Sequence, residues 1–76
     1  MGRDKVSERV HGLRDACNAA HRGGADFPTI WKNILLGSGL VAGIPSHRAN
    51  ERGAAMIVPL ITGHRLIFDE LGFSIE

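Results

Sequence analysis

The sequence contains one cysteine, one tryptophan and no tyrosine, and its acidic and basic side chains almost cancel. The single cysteine, Cys17, excludes an internal disulfide framework and leaves the cytoplasm as the expected compartment. A net charge of +1 is too small for a general binder of polyanions. No apolar run approaches the ~18 residues that a membrane span needs, so no membrane partner is expected.

Catalytic and cofactor-binding motifs are also missing. There is no Gly-x-Ser-x-Gly and no phosphate-binding Gly-x-x-x-x-Gly-Lys. Ser46 and His47 are adjacent, so in a strand their side chains point to opposite faces and cannot form a nucleophile–base pair. The sequence therefore predicts no enzyme and no cofactor; an enzyme would need a composite site across a dimer.

The length of 76 residues predicts a single domain over residues 1–76. A domain near 60 residues buries only about 60% of the surface that its unfolded chain exposes, so its stability is marginal. Small domains gain stability from disulfides, a metal or self-association. Since disulfides are excluded, the last two remain to be weighed.

Two helices are predicted at the N-terminal end. Residues 4–22 carry apolar side chains spaced by three and four, which is typical of one helix face, and Gly23 is expected to end this helix. Residues 26–36 follow as a second helix, with Asp26 as its N-cap and Pro28 in its first turn. The short connection predicts that the two fold back as a hairpin. The apolar stripe of the first helix consists of Val6, Val10, Leu13, Cys17 and Ala20.

The rest of the chain predicts strands over residues 40–47, 54–61, 65–69 and 73–75. The fold class is thus α+β, with an N-terminal helical hairpin packed on a three- to four-stranded antiparallel β-meander. Pro45 and Pro59 conflict with this arrangement, because proline cannot donate to a strand ladder. They leave open a bulge or a different strand order. In the tight turn at residues 62–64, Gly63 is expected to adopt a positive φ.

Metal ligands are sparse in this pattern. Cys17 and His21 are four apart and share a helix face, but a closed zinc site needs four ligands. His47 and His64 are expected at opposite ends of the second strand, about 26 Å apart. We therefore expect no metal site, with Cys17 as a buried hydrophobic residue; elemental analysis showing zinc that is lost in Cys17→Ser would contradict this.

Three basic side chains cluster near the first predicted strand turn. His47, Arg48 and Arg52 could together contact an anion, since arginine suits phosphate and carboxylate groups. This patch supports one alternative function, a nucleic-acid-associated accessory protein that uses the first helix and the Arg48/Arg52 turn. The competing interpretation is a solvated hairpin tip.

The second predicted strand is apolar on both faces, whereas two short helices can cover only one face. Ile57, Ile61 and Ile67 would line the uncovered face, and the edge at residues 72–75 could pair with a second copy. The predicted function is a small non-enzymatic protein-interaction module whose partner is a protein or a second copy, as a homodimer. The rival account is a monomer whose tail folds over the open face. Trp31 is assigned to the core.

Overall fold

The structure is a computed structural model that describes the backbone of residues 2–50 and 53–76, and the side chains of residues 5–49 and 53–76. It confirms an α+β fold: a long helix and a short helix accompany a four-stranded antiparallel sheet. The strands follow one another in the order β1-β2-β3-β4. Their bounds are β1 Ser46–Asn50, β2 Gly53–Pro59, β3 Arg65–Asp69 and β4 Gly72–Ile75.

Helix α1 runs over Gly2–Arg22 and packs against β4. Its central apolar residues are buried, but Val6 is 42% exposed, so the predicted stripe reaches the core only from Val10 onward. The helix ends in a Schellman motif, in which the N–H of Ala25 donates to the Ala20 carbonyl at 3.1 Å. The left-handed residue of this motif is Gly24 (φ 98°) and not Gly23, so the predicted position was wrong by one residue.

The second helical segment begins as predicted and then widens. Asp26 caps α2, Phe27–Ile30, by accepting a hydrogen bond from the Thr29 N–H at 3.0 Å. A π-helical turn, Trp31–Leu35, replaces the expected continuation, and the Leu36 N–H donates to the Trp31 carbonyl at 2.9 Å. The wider turn lets Ile30 and Leu35, five residues apart, both point into the core.

The sheet corrects the first strand of the prediction. Residues 40–47 do not form one strand, because β1 begins at Ser46, directly after Pro45, and continues to Asn50. Of the earlier part, Val41 makes only an isolated bridge to Leu60. The second strand likewise begins at Gly53 and ends at Pro59, whereas β3 has the predicted bounds.

Pro59 fits the meander without a change of strand order. It holds the last position of β2, opposite Arg65. Arg65 directs both of its backbone groups at Glu76, with N···O distances of 3.1 and 2.8 Å. The ladder between β2 and β3 therefore requires no N–H from Pro59.

The core lies between the helices and one face of the sheet. Phe27 stacks on Phe68 and Phe73, at ring-centroid distances of 5.6 and 6.3 Å, and Phe68 and Phe73 face each other on β3 and β4. Trp31 is half-buried and stacks on Phe27 at 6.5 Å. The fully enclosed side chains around this cluster are Val10, Cys17, Ile30, Leu35, Val58 and Leu66.

The positive φ predicted for Gly63 is confirmed at 91°. The Gly63 N–H donates to the Leu60 carbonyl, and the Leu60 N–H donates to the His64 carbonyl at 2.9 Å. This is the three-residue hairpin in which a glycine occupies the left-handed position.

We expect Gly63→Val to lower the free energy of unfolding by more than about 1 kcal/mol, because a β-branched side chain rarely adopts this backbone conformation. No atom outside the adjacent residues lies within 4 Å of the added Cβ, so the cost comes from the backbone alone. Urea denaturation measures it. An unchanged midpoint would contradict the assigned turn.

Candidate interaction surface

A side chain from α1 covers the centre of the outer edge of β4. The Asn18 carboxamide donates from Nδ2 to the Phe73 carbonyl at 3.0 Å and accepts the Phe73 N–H on Oδ1 at 2.7 Å. It thus takes the place of a neighbouring strand at the outward-facing backbone groups of Phe73. The predicted use of residues 72–75 as a pairing edge is disfavoured, because Asn18 already occupies its central position.

The outer edge of β1 has no such cover among the described residues, where β2 is its only strand neighbour. The direction of its backbone groups follows from the register. Pro59 accepts the Ala42 N–H at 2.8 Å on the side of β2 that faces away from β3. Because directions alternate along a strand, Ile57 and Ala55 also point to that side, and they pair with Ser46 and Arg48.

The remaining residues of β1 must then point outward. His47 and Ala49 alternate with the inward-paired positions, so each presents one N–H and one C=O away from the sheet. Pro45, just before the strand, can offer only its carbonyl in this direction. The β1 edge therefore offers two complete donor–acceptor pairs and one extra acceptor.

A cleft of about 380 Å³ adjoins this edge on the helix-facing side. The cleft opens there because α1 packs on β4, which lies at the opposite edge of the sheet from β1. His21 forms one wall and contacts the Phe68 ring edge-on at 5.1 Å. The other lining residues are His47, Ala54, Ala55, Met56, Phe68, Asp69 and Glu70.

The opposite face of the sheet is crossed by an ion network. Arg48, on β1, donates to Glu76 from Nη2 at 3.1 Å, and Arg65 also pairs with Glu76. By strand alternation, these side chains share the face that carries Ile57 and Ile67. Although it lies on the face away from the helices, Ile67 is only 5% exposed.

The hydrogen bond from Arg48 holds the pKa of the Glu76 carboxyl below its ordinary value, and the charges of Arg48 and Arg65 act in the same direction. Since the folded-state pKa is depressed, this pair stabilises the fold above the unfolded-state value of 4.5. The contribution disappears as the pH falls through the folded-state pKa.

We expect Arg48→Gln to lower the stability at neutral pH and to change it little near about pH 2, where the carboxyl is protonated in both states. Arg14→Gln is the matched control, because Arg14 also forms a surface ion pair, with Asp15. Thermal unfolding across this pH range compares the two. An Arg48 effect that persists undiminished in acid would refute the role of Glu76.

Of the predicted anion patch, the structure describes His47 and Arg48, and these two do not share a face. His47 and Arg48 are neighbours on β1, so their side chains lie on opposite faces of the sheet. Arg48 is engaged by Glu76. Arg52 lies outside the described residues.

The structure places His47 and His64 closer together along β2 than the sequence predicts. His47 lies opposite Met56, and His64 is bonded to Leu60 at the other end of β2. Four residues of strand, about 13 Å, separate the two levels. His64 instead contacts the Thr62 hydroxyl through Nδ1 at 2.7 Å.

Cys17 has no exposed surface, and burial raises the pKa of its thiol to about 11. This protonated, enclosed thiol fits the predicted role as a buried hydrophobic residue. His21 faces the cleft instead. Among the described residues, no group of three or more potential ligands could hold a metal ion.

The predicted interface residues differ in their surroundings. Ile61 is 61% exposed and lies in the turn after β2, so it is outside the strand. Ile57 is half-buried, whereas Ile67 is already buried within one chain. The three therefore do not form one open apolar patch.

Sequence reasoning missed the role of Asn18 and the cleft that His21 and His47 line together. The sequence gives no signal for Asn18, because it follows Cys17 directly and so lies about 100° around α1 from that buried residue, away from the apolar stripe. No sequence signal predicts that His21 and His47 line one cleft, because one lies at a helix end and the other on a strand.

Within residues 2–50 and 53–76, no helix has both the length and the apolar character to cross a bilayer. A comparison of the chain with protein-family models, curated proteins and solved structures found no match.

Proposed function

We propose that this chain is a small protein-interaction module without enzymatic activity, and that it self-associates through the edge of its sheet. The observation that carries the proposal is the contrast between the two edges. Asn18 occupies the outward groups of Phe73 at the centre of β4, whereas those of His47 and Ala49 on β1 have no such cover among the described residues. An unprotected edge is a template for pairing with another chain.

The small size of the domain supports the same function. A chain of 76 residues has little core to stabilise it alone, and a second copy would extend the sheet and bury further surface. A homodimer with a two-fold axis would satisfy both copies of the β1 edge at once. The non-enzymatic part of the proposal rests on the missing catalytic motifs.

The proposed interface differs from the one that the apolar pattern alone favours. The ion pair of Arg48 with Glu76 spans the face of Ile57 and Ile67, and burying it between two copies would desolvate charges. Pairing along β1 leaves this network in place. We therefore propose the edge rather than the face as the contact.

The proposal includes the helical hairpin expected from the sequence. The Schellman motif at Gly24 turns the chain directly into α2, and α1 contacts both α2 and the π-helical turn. In this arrangement the two helices act as one layer on the sheet. The β1 side then remains open for a partner.

The nucleic-acid alternative has weaker support. It requires Arg48 to contact phosphate, but Glu76 competes for the same guanidinium. A shift of the labelled chain on DNA or RNA that weakens steeply with salt would favour this alternative.

The test of self-association is Ala49→Pro in sedimentation equilibrium. Proline removes an outward N–H that the fold itself does not use, so the monomer is expected to keep its structure. The wild type should show about twice the chain mass of 8.2 kDa at tens of micromolar. We expect Ala49→Pro to raise the dissociation constant by at least about tenfold.

Ala49→Thr is the matched control, because it changes the same exposed position but keeps the N–H, and it should remain dimeric. Ile57→Glu separates the edge from the face: dissociation by this variant alone would place the contact on the face. A wild-type mass of 8.2 kDa throughout the concentration range would refute self-association.

A further inference from the structure

We infer that two copies pair β1 with β1 in antiparallel register, with His47 opposite His47 of the second copy at the two-fold axis. This inference rests on the proposed self-association and specifies its geometry. The outward groups of β1 limit the registers that can form, and charge decides among them.

Only residues with outward backbone groups can exchange hydrogen bonds across the new boundary. On β1 these residues are His47 and Ala49, together with the carbonyl of Pro45. A symmetric antiparallel pairing that sets two complete donor–acceptor residues opposite each other can therefore be centred on His47, on Arg48 or on Ala49. Each centre predicts a different set of bonds and a different set of opposed side chains.

The register centred on His47 forms four hydrogen bonds. The two copies of His47 exchange two bonds, and the N–H of each Ala49 donates to the carbonyl of Pro45 in the other copy. Pro45 has no N–H to donate, but it precedes the strand, so no other hydrogen bond of this register is lost. On the face of the sheet away from the helices, each Arg48 lies opposite Ser46 of the second copy, whose side chain is a small hydroxyl.

The register centred on Arg48 also forms four bonds, since each His47 pairs with an Ala49. It places the two copies of Arg48 directly opposite each other at the closest cross-strand spacing, about 4.5 Å between Cα atoms. Like charges in this position are destabilising. One carboxylate per chain, from Glu76, already serves both Arg48 and Arg65, so it does not relieve the repulsion.

The register centred on Ala49 gives fewer bonds within β1. The two copies of Ala49 exchange one pair of bonds, and the next outward residue, His47, lies opposite residue 51, beyond the end of the strand. The balance of hydrogen bonds and charge therefore favours the register centred on His47.

The axis of this pairing is perpendicular to the sheet, so the helices of both copies lie on the same side of eight continuous strands. The two clefts beside His47 then adjoin across the axis. The imidazole of the second copy completes the β1 wall of each cleft, so this wall is built from both chains.

Single cysteines test the register without altering Arg48. His47→Cys and Ala49→Cys are made separately in a Cys17→Ala background, and circular dichroism verifies that each variant is folded. In the proposed register, the two Cα atoms at position 47 are about 5.5 Å apart, within disulfide range. Those at position 49 are separated by about 13 Å along the strands.

Under mild oxidation we expect the disulfide-linked dimer of His47→Cys to form at least about tenfold faster than that of Ala49→Cys. Equal rates would indicate the register centred on Arg48, and a faster Ala49→Cys reaction would indicate the one centred on Ala49. If neither variant cross-links although sedimentation shows a dimer, the strand pairing is wrong and self-association stands. If the wild type has a monomeric mass in sedimentation equilibrium under reducing conditions, the proposed function itself is refuted.

Discussion

Gly72→Ala should lower the free energy of unfolding by about 3 kcal/mol, through two separate effects. Gly72 has a φ of 110°, which L side chains rarely adopt. An added Cβ would also lie 2.8 Å from Oδ1 of Asn18, closer than van der Waals contact allows. The oxygen cannot move freely, because it accepts the Phe73 N–H.

Gly63→Ala is the matched control for the first of these effects. Gly63 also has a positive φ, of 91°, but no atom outside the adjacent residues lies within 4 Å of its added Cβ. It should therefore cost only about 1 kcal/mol, the backbone part alone. Urea denaturation of both variants gives the difference, and equal losses would show that Asn18 does not restrict Gly72.

Asn18→Ala should also destabilise the fold strongly, with a loss of about 2–3 kcal/mol. The carboxamide satisfies both backbone groups of Phe73, and its removal leaves a donor and an acceptor unpaired at a half-buried strand edge. Amide hydrogen exchange at Phe73 should accelerate in parallel. Urea denaturation measures the loss of stability.

Asn18→Asp separates the two hydrogen bonds, because a carboxylate still accepts the Phe73 N–H but cannot donate to the carbonyl. Its stability should lie between those of the wild type and Asn18→Ala. If Asn18→Ala were as stable as the wild type, the carboxamide would have no role in closing the β4 edge.

The changes at Gly72 and Asn18 should also be coupled. In the double variant, Asn18→Ala with Gly72→Ala, the carboxamide oxygen is gone, so the new Cβ at position 72 no longer meets it. We expect the combined loss to be smaller than the sum of the single losses by about 1 kcal/mol. Strict additivity would indicate that the contact of Gly72 with Asn18 carries no energy.

Asn18 also limits the size of the assembly under the proposed function. While Asn18 covers Phe73 at the centre of β4, a chain pairs through β1 alone and stops at a dimer; with both edges open, copies could add without limit. We therefore expect Asn18→Ala to form species larger than dimers in sedimentation velocity experiments, at concentrations where the wild type does not.

Where local patterns control the chain, the sequence was a good guide. The spacing in α1 predicted its buried residues from Val10 onward, and the bounds of β3 and the positive φ of Gly63 followed from neighbouring residues alone. The incorrect predictions concern features that depend on residues distant in the sequence. Strand β1 pairs with β2 from Ser46 to Asn50, and no local pattern of residues 40–47 indicates this register.

The amino-acid sequence alone was enough to specify the class of fold, the end of the first helix to within a residue and the glycine of the β2–β3 turn, since these depend on contacts within a few residues. Which sheet edge is open became clear only from the packed molecule. Asn18 meets Phe73 across 55 positions of sequence, and Arg48 meets Glu76 across 28. Such pairs form only after the helices and strands have packed, because their geometry depends on the register and twist of the whole sheet.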